Sequence, residues 1–240
     1  MPAALKGGAR GLLLMSATFG VLTAFGLLLF RQVDPPLSAL MLGQKLGGQV
    51  IDQRWMPIDR ISPHLLRAII LSEDSQFCSH HGIDITEMRA LMLKAELTGD
   101  EQALRGGSTI SMQVVKNLYL WPGKNLVRKG LEVAITLPME VVWSKRRIME
   151  VYLNIAEWGP GIFGAEAASQ FHFSKPASRL TPREAALLAV ALPNPFDRVA
   201  GNPGTGTQRL AERIESRAKT SASARFRCVL ADGISFKANS

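Results

Sequence analysis

The usual ligands for a transition metal are scarce in these 240 residues: there are only two cysteines, Cys78 and Cys228, and four histidines. His64 and His172 stand alone, and the neighbours His80 and His81 cannot both face one ion from a regular element, so no structural or catalytic zinc is implied. Two cysteines at unrelated spacing make no disulfide framework, although a single Cys78–Cys228 bridge stays open if the chain is exported to an oxidising compartment. Aromatic residues make up only 7%, and acids are outnumbered, with 20 Asp and Glu against 28 Lys and Arg, a net charge of +8. Such a surplus favours anionic partners. With 47% hydrophobic residues, however, the chain is no disordered basic tail for nucleic acid, and a membrane surface is the better match.

One stretch has no charge at all. Gly11 to Phe30 is long enough, at ~1.5 Å per helical residue, to cross a ~30 Å hydrocarbon layer. Lys6 and Arg10 precede it, which predicts a cytoplasmic N-terminus (residues 1–10), a single-pass anchor (11–30) and export of everything after it. A cleaved signal peptide competes, but the apolar run is longer than a signal core and no Ala-x-Ala site follows cleanly. Asp34-Pro35-Pro36 then breaks the helix, and 31–50 reads as a stalk. The remainder, 51–219 with a tail over 220–240, is one substantial domain, too short for two enzymatic ones.

Helix signals recur along it. Ser62 and Pro63 open a helix with Leu65, Leu66, Ile69 and Ile70 on one face. It closes on Glu73-Asp74, with Glu73 falling near the apolar face and Asp74 about 100° away. A carboxylate pushed toward an apolar wall has its charged form disfavoured and is suited to take a proton near neutral pH, whereas a solvated acidic pair would do no chemistry. Asp84 and Glu87 start a helix with Ile85, Met88, Leu91, Met92 and Leu93, which is either core or a face that dips into a bilayer surface. From Arg105 on, Gly106-Gly107-Ser108-Thr109 leads into a helix on which Thr109, Gln113 and Lys116 share a polar face. Ser108 is the expected cap, and the helix N-terminus would favour a phosphate. A long helix from Arg128 to Trp143 pairs Arg128 with Glu132 one turn on, and Pro138 should kink it. Ser144 caps the next helix, Lys145 to Asn154. Thr181-Pro182-Arg183-Glu184 starts the apolar run 185–192, and 208–219 reads as a charged, exposed helix. Ser216-Arg217-Ala218-Lys219 matches Ser-x-x-Lys, but too little chain follows to build a transpeptidase.

Together these segments resemble the monofunctional biosynthetic peptidoglycan glycosyltransferases, relatives of the glycosyltransferase half of class A penicillin-binding proteins. The likeness covers about Ile51 to Phe196. The first family motif, Glu-Asp-x-x-Phe-x-x-His-x-Gly, is met at Glu73, Asp74, Phe77, His80 and Gly82. The second is met at Gly106 to Ile110, Gln113, Lys116, Asn117 and Leu118, with Ser111 for Thr and Met112 for the first Gln. Arg128, Lys129 and Glu132 match the third. The fourth resembles Ser144-Lys145, Ile148, Glu150, Tyr152, Leu153 and Asn154, and the fifth Gly161, Gly164 and Ala167-Ala168.

The resemblance implies a mainly α, lysozyme-like domain behind one transmembrane helix, in the bacterial inner membrane with the catalytic part in the periplasm. Its reaction would be inverting transfer of glycan from a lipid-linked chain to lipid II, releasing undecaprenyl pyrophosphate. Glu73 and Glu132 would be the catalytic carboxylates, Glu73 as base, and Glu132 either orienting cations or helping to bind a metal. Lys116, Arg128, Lys129, Ser108, Thr109, Gln113, Asn117 and Arg105 would hold substrate and pyrophosphate. A divalent cation such as Mg²⁺ is the one cofactor in view, with no organic cofactor. Lipid II, the growing chain, the membrane and cell-wall or division proteins are the partners, without nucleic acid. A lytic hydrolase of the same glycan would leave the cations idle, and an inactive scaffold would not need both carboxylates.

Overall fold

In the computed structural model, which describes residues 2–99, 107–123 and 125–230, the helix signals become ten α-helices among the described residues. Pro63 opens α3 (Pro63–Glu73), but Ser62 does not cap it with its side chain; that hydroxyl donates to the Leu180 carbonyl instead, at 3.0 Å. Asp84 caps α4 (Ile85–Thr98), Ser144 caps α7 (Lys145–Ile155), and Thr181 with Glu184 forms a reciprocal capping box on α9 (Pro182–Ala191). Thr109, not Ser108, caps α5 (Ile110–Tyr119), its hydroxyl accepting from the Met112 N–H at 3.2 Å. Asn125 caps α6 (Leu126–Val142). This helix runs unbroken through Pro138, whose ring leaves only the Ala134 carbonyl without its helical donor.

Two helix groups make the core. α3 packs on α9, and α10 (Thr205–Thr220) lies against both; α5 packs on α6 and α7. Helix α10 is therefore only half solvent-facing, with Thr207, Ala211 and Ile214 buried. A small sheet closes one end, in the order β1 (Asp52–Gln53), β3 (Ile162–Phe163), β2 (Glu157–Gly159). β1 runs parallel to β3 with Asp52 opposite Ile162, and β2 runs antiparallel to β3. Gly161, at φ +73°, lets this turn form, since a Cβ there would lie 2.2 Å from the Val50 carbonyl oxygen. Asn154 on α7 ties the chain at Met56, accepting from its N–H at 2.8 Å and donating to its carbonyl at 3.0 Å. Motifs four and five thus hold the scaffold. Helix α8 (Ala165–Phe173) packs through Ala165, Ala167 and Ala168, all fully buried.

The N-terminal segment is helical from Pro2 to Phe30 (α1), with side chains described at residue 11 and from 14 onward. Among the described residues no helix is long and apolar enough to cross a membrane. The last turn of α1 is docked: the Trp143 indole donates to the Leu27 carbonyl at 2.6 Å, and Arg147 reaches the Phe30 and Val33 carbonyls at 3.0 and 2.8 Å and the Asp34 carboxylate at 2.9 Å. The stretch expected as a stalk carries α2 (Ala39–Leu46), capped by Ser38 and packed on α5 through the fully buried Met41. Cys78 and Cys228 are joined by a disulfide that closes 150 positions of sequence, with Cα atoms 5.5 Å apart. Packing of α10 and of the turn Ser223–Phe226 on α3 brings the two cysteines together, a proximity that spacing could not reveal.

Candidate active site

The C-terminal end of α3 presents two carboxylates to different surroundings. Glu73 is the last helical residue, and Asp74 leaves the helix with φ −162°. Asp74 is the more deeply held: it accepts from His80 Nε2 at 2.9 Å and from the Ile110 N–H, at the start of α5, at 3.0 Å. The position where a helix dipole favours an anion is therefore filled by the protein's own carboxylate rather than left to a phosphate. His80 Nδ1 accepts the Gly82 N–H at 3.1 Å, which places the ring proton on Nε2, facing Asp74. Gly82, at φ +90°, closes this loop against α6, where a Cβ would come within 2.8 Å of Thr136. The Thr109 hydroxyl donates to the Gly82 carbonyl while it caps α5.

Glu73 faces α5 and a cavity of about 240 Å³ that is also lined by Ser108, Gly107 and Arg217. Gln113 Nε2 donates to Glu73 Oε2 at 3.1 Å, and the Ser72 hydroxyl lies 3.3 Å from Oε1. The buried Tyr152 hydroxyl donates to Gln113 Oε1 at 3.3 Å, which holds the amide so that its N–H side meets the carboxylate. Burial pushes the Glu73 carboxyl above its ordinary value; hydrogen bonds from Gln113 and Ser72, and the charges of Lys116 and Arg198, oppose that rise without cancelling it.

A cationic group lies one helix further on. Glu132 is buried, with Arg128 Nη1 on Oε2 at 3.0 Å and Lys129 Nζ on Oε1 at 2.8 Å. Lys129 also donates to the Ser108 hydroxyl at 2.8 Å, so Ser108 links the wall of the Glu73 cavity to this group. Lys116 sits between the two. Burial pushes its ammonium down from the usual lysine value, Arg128 and Lys129 add to that, and Glu132 and Glu73 oppose it. Lys116, Asn117 and Arg128 line a second cavity of about 330 Å³, walled by Leu40, Leu120, Trp121 and Pro122. Arg128 Nε is buried there with no hydrogen-bond partner among the described residues.

The structure thus gathers Glu73, Gln113, Lys116, Asn117, Ser108, Arg128, Lys129 and Glu132, and Thr109, whose hydroxyl caps α5 and donates to the Gly82 carbonyl, also lines the Glu73 cavity. Arg105 lies outside the described residues. Met112, the departure from the second motif, is fully buried and makes no contact in the cleft. Sequence reasoning missed Ser72, the orienting role of Tyr152, Arg217, which lines the cavity, and Arg198, whose charge acts on Glu73 from the neighbouring groove. Nothing local marks those two arginines, because the packing of α3, α9 and α10 alone places them. A divalent cation does not fit a protein-built cage: no group of three or more His, Cys, Asp or Glu side chains gathers among the described residues, and both Glu132 oxygens are taken by cations.

A helical domain that sets a buried acid of raised pKa beside a group of cations suits transfer of a sugar from an anionic leaving group, and comparison with known families agrees. The transglycosylase family model matches residues 41–221, and the chain belongs to that family. It is 53% identical over 186 residues to the biosynthetic peptidoglycan transglycosylase of Agrobacterium fabrum, covering 78% of this chain and 81% of the relative. The protein of the same name from Rhodopseudomonas palustris is 45% identical over 210 residues, covering 87% and 89%.

Proposed function

We propose that this enzyme polymerises glycan strands from lipid II, with Glu73 as the base that takes the proton of the attacking sugar hydroxyl. The observation that carries this reading is a buried carboxyl of raised pKa within electrostatic reach of Lys116, which shares the neighbouring cavity with Arg128, while Lys129 is tied through Ser108 to the wall of the Glu73 cavity. An alcohol is a weak nucleophile near neutral pH, and a positioned base contributes about 10²- to 10⁴-fold. The departing pyrophosphate is a stable anion that needs no acid, only positive charge where negative charge grows. Lys116 and Arg128 supply it beside an apolar wall, which suits a substrate whose phosphates are joined to a long hydrocarbon. Glu132 serves as a positioning residue here, since its two oxygens fix Arg128 and Lys129 in separate directions.

The membrane follows from the substrate. On this reading residues 11–30 span the inner membrane once, with residues 1–10 cytoplasmic and the domain in the periplasm. Exposed Leu14, Met15, Val21, Leu22, Phe25 and Leu28 on α1 support it. None of the apolar residues of α4 is buried, and Ile85, Met92, Leu93 and Leu97 are exposed, which favours contact with lipid over core packing. Tethering then brings enzyme and lipid-linked substrates together in two dimensions.

The test is to give purified full-length protein a lipid-linked disaccharide-pentapeptide and size the products. Long polymer is expected; cleavage of preformed glycan without polymer would assign lysis instead. Lys116→Ala should weaken donor binding roughly tenfold to a hundredfold, the usual effect of removing a charged hydrogen-bond donor. Unchanged donor affinity in a direct binding assay would move the pyrophosphate elsewhere.

A further inference from the structure

A second opening adjoins the Glu73 cavity. Leu71, Ser72 and Arg217 line both that cavity and a neighbouring groove of about 340 Å³. The groove has an apolar floor, made by Val190 of α9 with Pro193 just beyond it, and by Leu210 and Ile214 of α10. Around it stand three arginines, Arg198, Arg213 and Arg217, and no Asp or Glu among the described residues lines it.

These cations are not there to satisfy one another. Arg213 and Arg217 lie one turn apart on α10, a like-charge spacing that disfavours the helix. The acids nearest in sequence are engaged elsewhere: Asp197 accepts from the Asn194 amide at 2.6 Å, Glu212 pairs with Arg183 at 3.4 Å and Glu215 with Lys219 at 3.0 Å. Arg198 and Arg217 each give one N–H to a backbone carbonyl, of Val190 at 3.0 Å and Leu71 at 3.3 Å, which leaves most of each guanidinium fork unused. Arg213 is exposed, and its side chain makes no ion pair or hydrogen bond among the described residues. Guanidinium forks match carboxylates in a two-point geometry, and a groove with one sign of charge concentrates the opposite sign.

We propose that this groove binds the carboxylate-bearing peptide arm of the glycan precursor while the sugar lies over Glu73. The inference rests on the functional reading above, which supplies a peptide-bearing sugar. The pyrophosphate is the other anion of that substrate, but its cations line a cavity that shares no residue with this groove. An apolar floor below three guanidinium groups suits a short peptide with aliphatic side chains and free carboxylates. Through Arg217 and Ser72 the groove also abuts the base, so peptide binding would register the sugar hydroxyl against Glu73.

The experiment compares two precursors, one with free peptide carboxylates and one with the same peptide fully amidated, in full-length wild type, Arg213→Glu and Arg213→Lys. Wild type should prefer the acidic peptide by about tenfold or more in kcat/KM, mostly through KM. Arg213→Glu should lose that preference, and Arg213→Lys should keep most of it. An unchanged preference in Arg213→Glu, or an equal loss on both precursors, overturns the proposal. A loss that follows only weaker binding to anionic vesicles also overturns it and assigns the groove to the bilayer surface. No polymer from wild type with either precursor would instead overturn the functional reading, and this inference with it.

Discussion

Glu73→Gln should abolish polymer synthesis while leaving the fold at least as stable at neutral pH. The substitution keeps the shape and a partner for Gln113, and removes only the group that can accept the proton, so the loss should reach about 10²- to 10⁴-fold or more. The stability half follows from linkage. A carboxyl whose folded pKa is raised contributes stability that is complete below its unfolded pKa and is lost as pH rises through the folded value. Burial raises Glu73 in this way, so at neutral pH wild type bears the penalty of a desolvated charge that glutamine avoids. The same shift predicts the pH profile: activity needs the ionised base, so the acid limb should rise at higher pH than an exposed glutamate would give. Polymer made at the normal rate by Glu73→Gln would remove this residue from the base role, and a denaturation midpoint below that of wild type would contradict the burial argument.

Breaking the Cys78–Cys228 bridge should produce the largest fall in stability. It closes a loop of 150 positions, and in the chain-entropy account such a cross-link stabilises by about 2–5 kcal/mol. For a domain of this size that corresponds to roughly 5–15 °C in Tm. Replacing both cysteines by serine and measuring the melting temperature tests it; an unchanged midpoint would show that packing alone holds the two segments. Activity should fall along with stability, because Cys78 lies four residues after Asp74 and in the loop whose Phe77 is fully buried and whose His80 holds that aspartate. The bridged tail is fixed by further contacts, since Phe226 is fully buried under the Arg67 guanidinium at 5.1 Å, and Arg146 donates to the Val229 carbonyl. A structural disulfide of this kind belongs to an oxidising compartment, which is consistent with the proposed export.

Whatever is written within a few residues could be read from the sequence. The caps at Asp84, Ser144 and Thr181, the start at Pro63, and the pairing of Arg128 with Glu132 one turn apart depend on local chemistry alone. Ser108 and Thr109 show where that reading fails. Both are small hydroxyls ahead of the same helix, and the choice between them is made by Lys129 and the Gly82 carbonyl, which arrive from distant segments. Asp74 shows the same limit: the first motif names it beside Glu73, but only the approach of Ile110 and His80 gives the two acids different tasks. The glycine-rich look of 31–50 concealed α2 because its burial rests largely on one residue, Met41, docking on α5.

The clamp formed by Trp143 and Arg147 on the end of α1 has a mechanical consequence. A tether that swivels would leave the catalytic cleft free to tumble above the lipid, whereas here the last turn of the proposed anchor is bolted through Trp143 to the end of α6 and through Arg147 to α7, the helix that carries Tyr152. On the proposed topology, height and tilt of the cleft over the bilayer would be set by the angle at which α1 leaves the domain. Nascent glycan would emerge along a fixed heading relative to the membrane plane, with the reaction centre indexed to the depth at which the phosphates of its substrates lie.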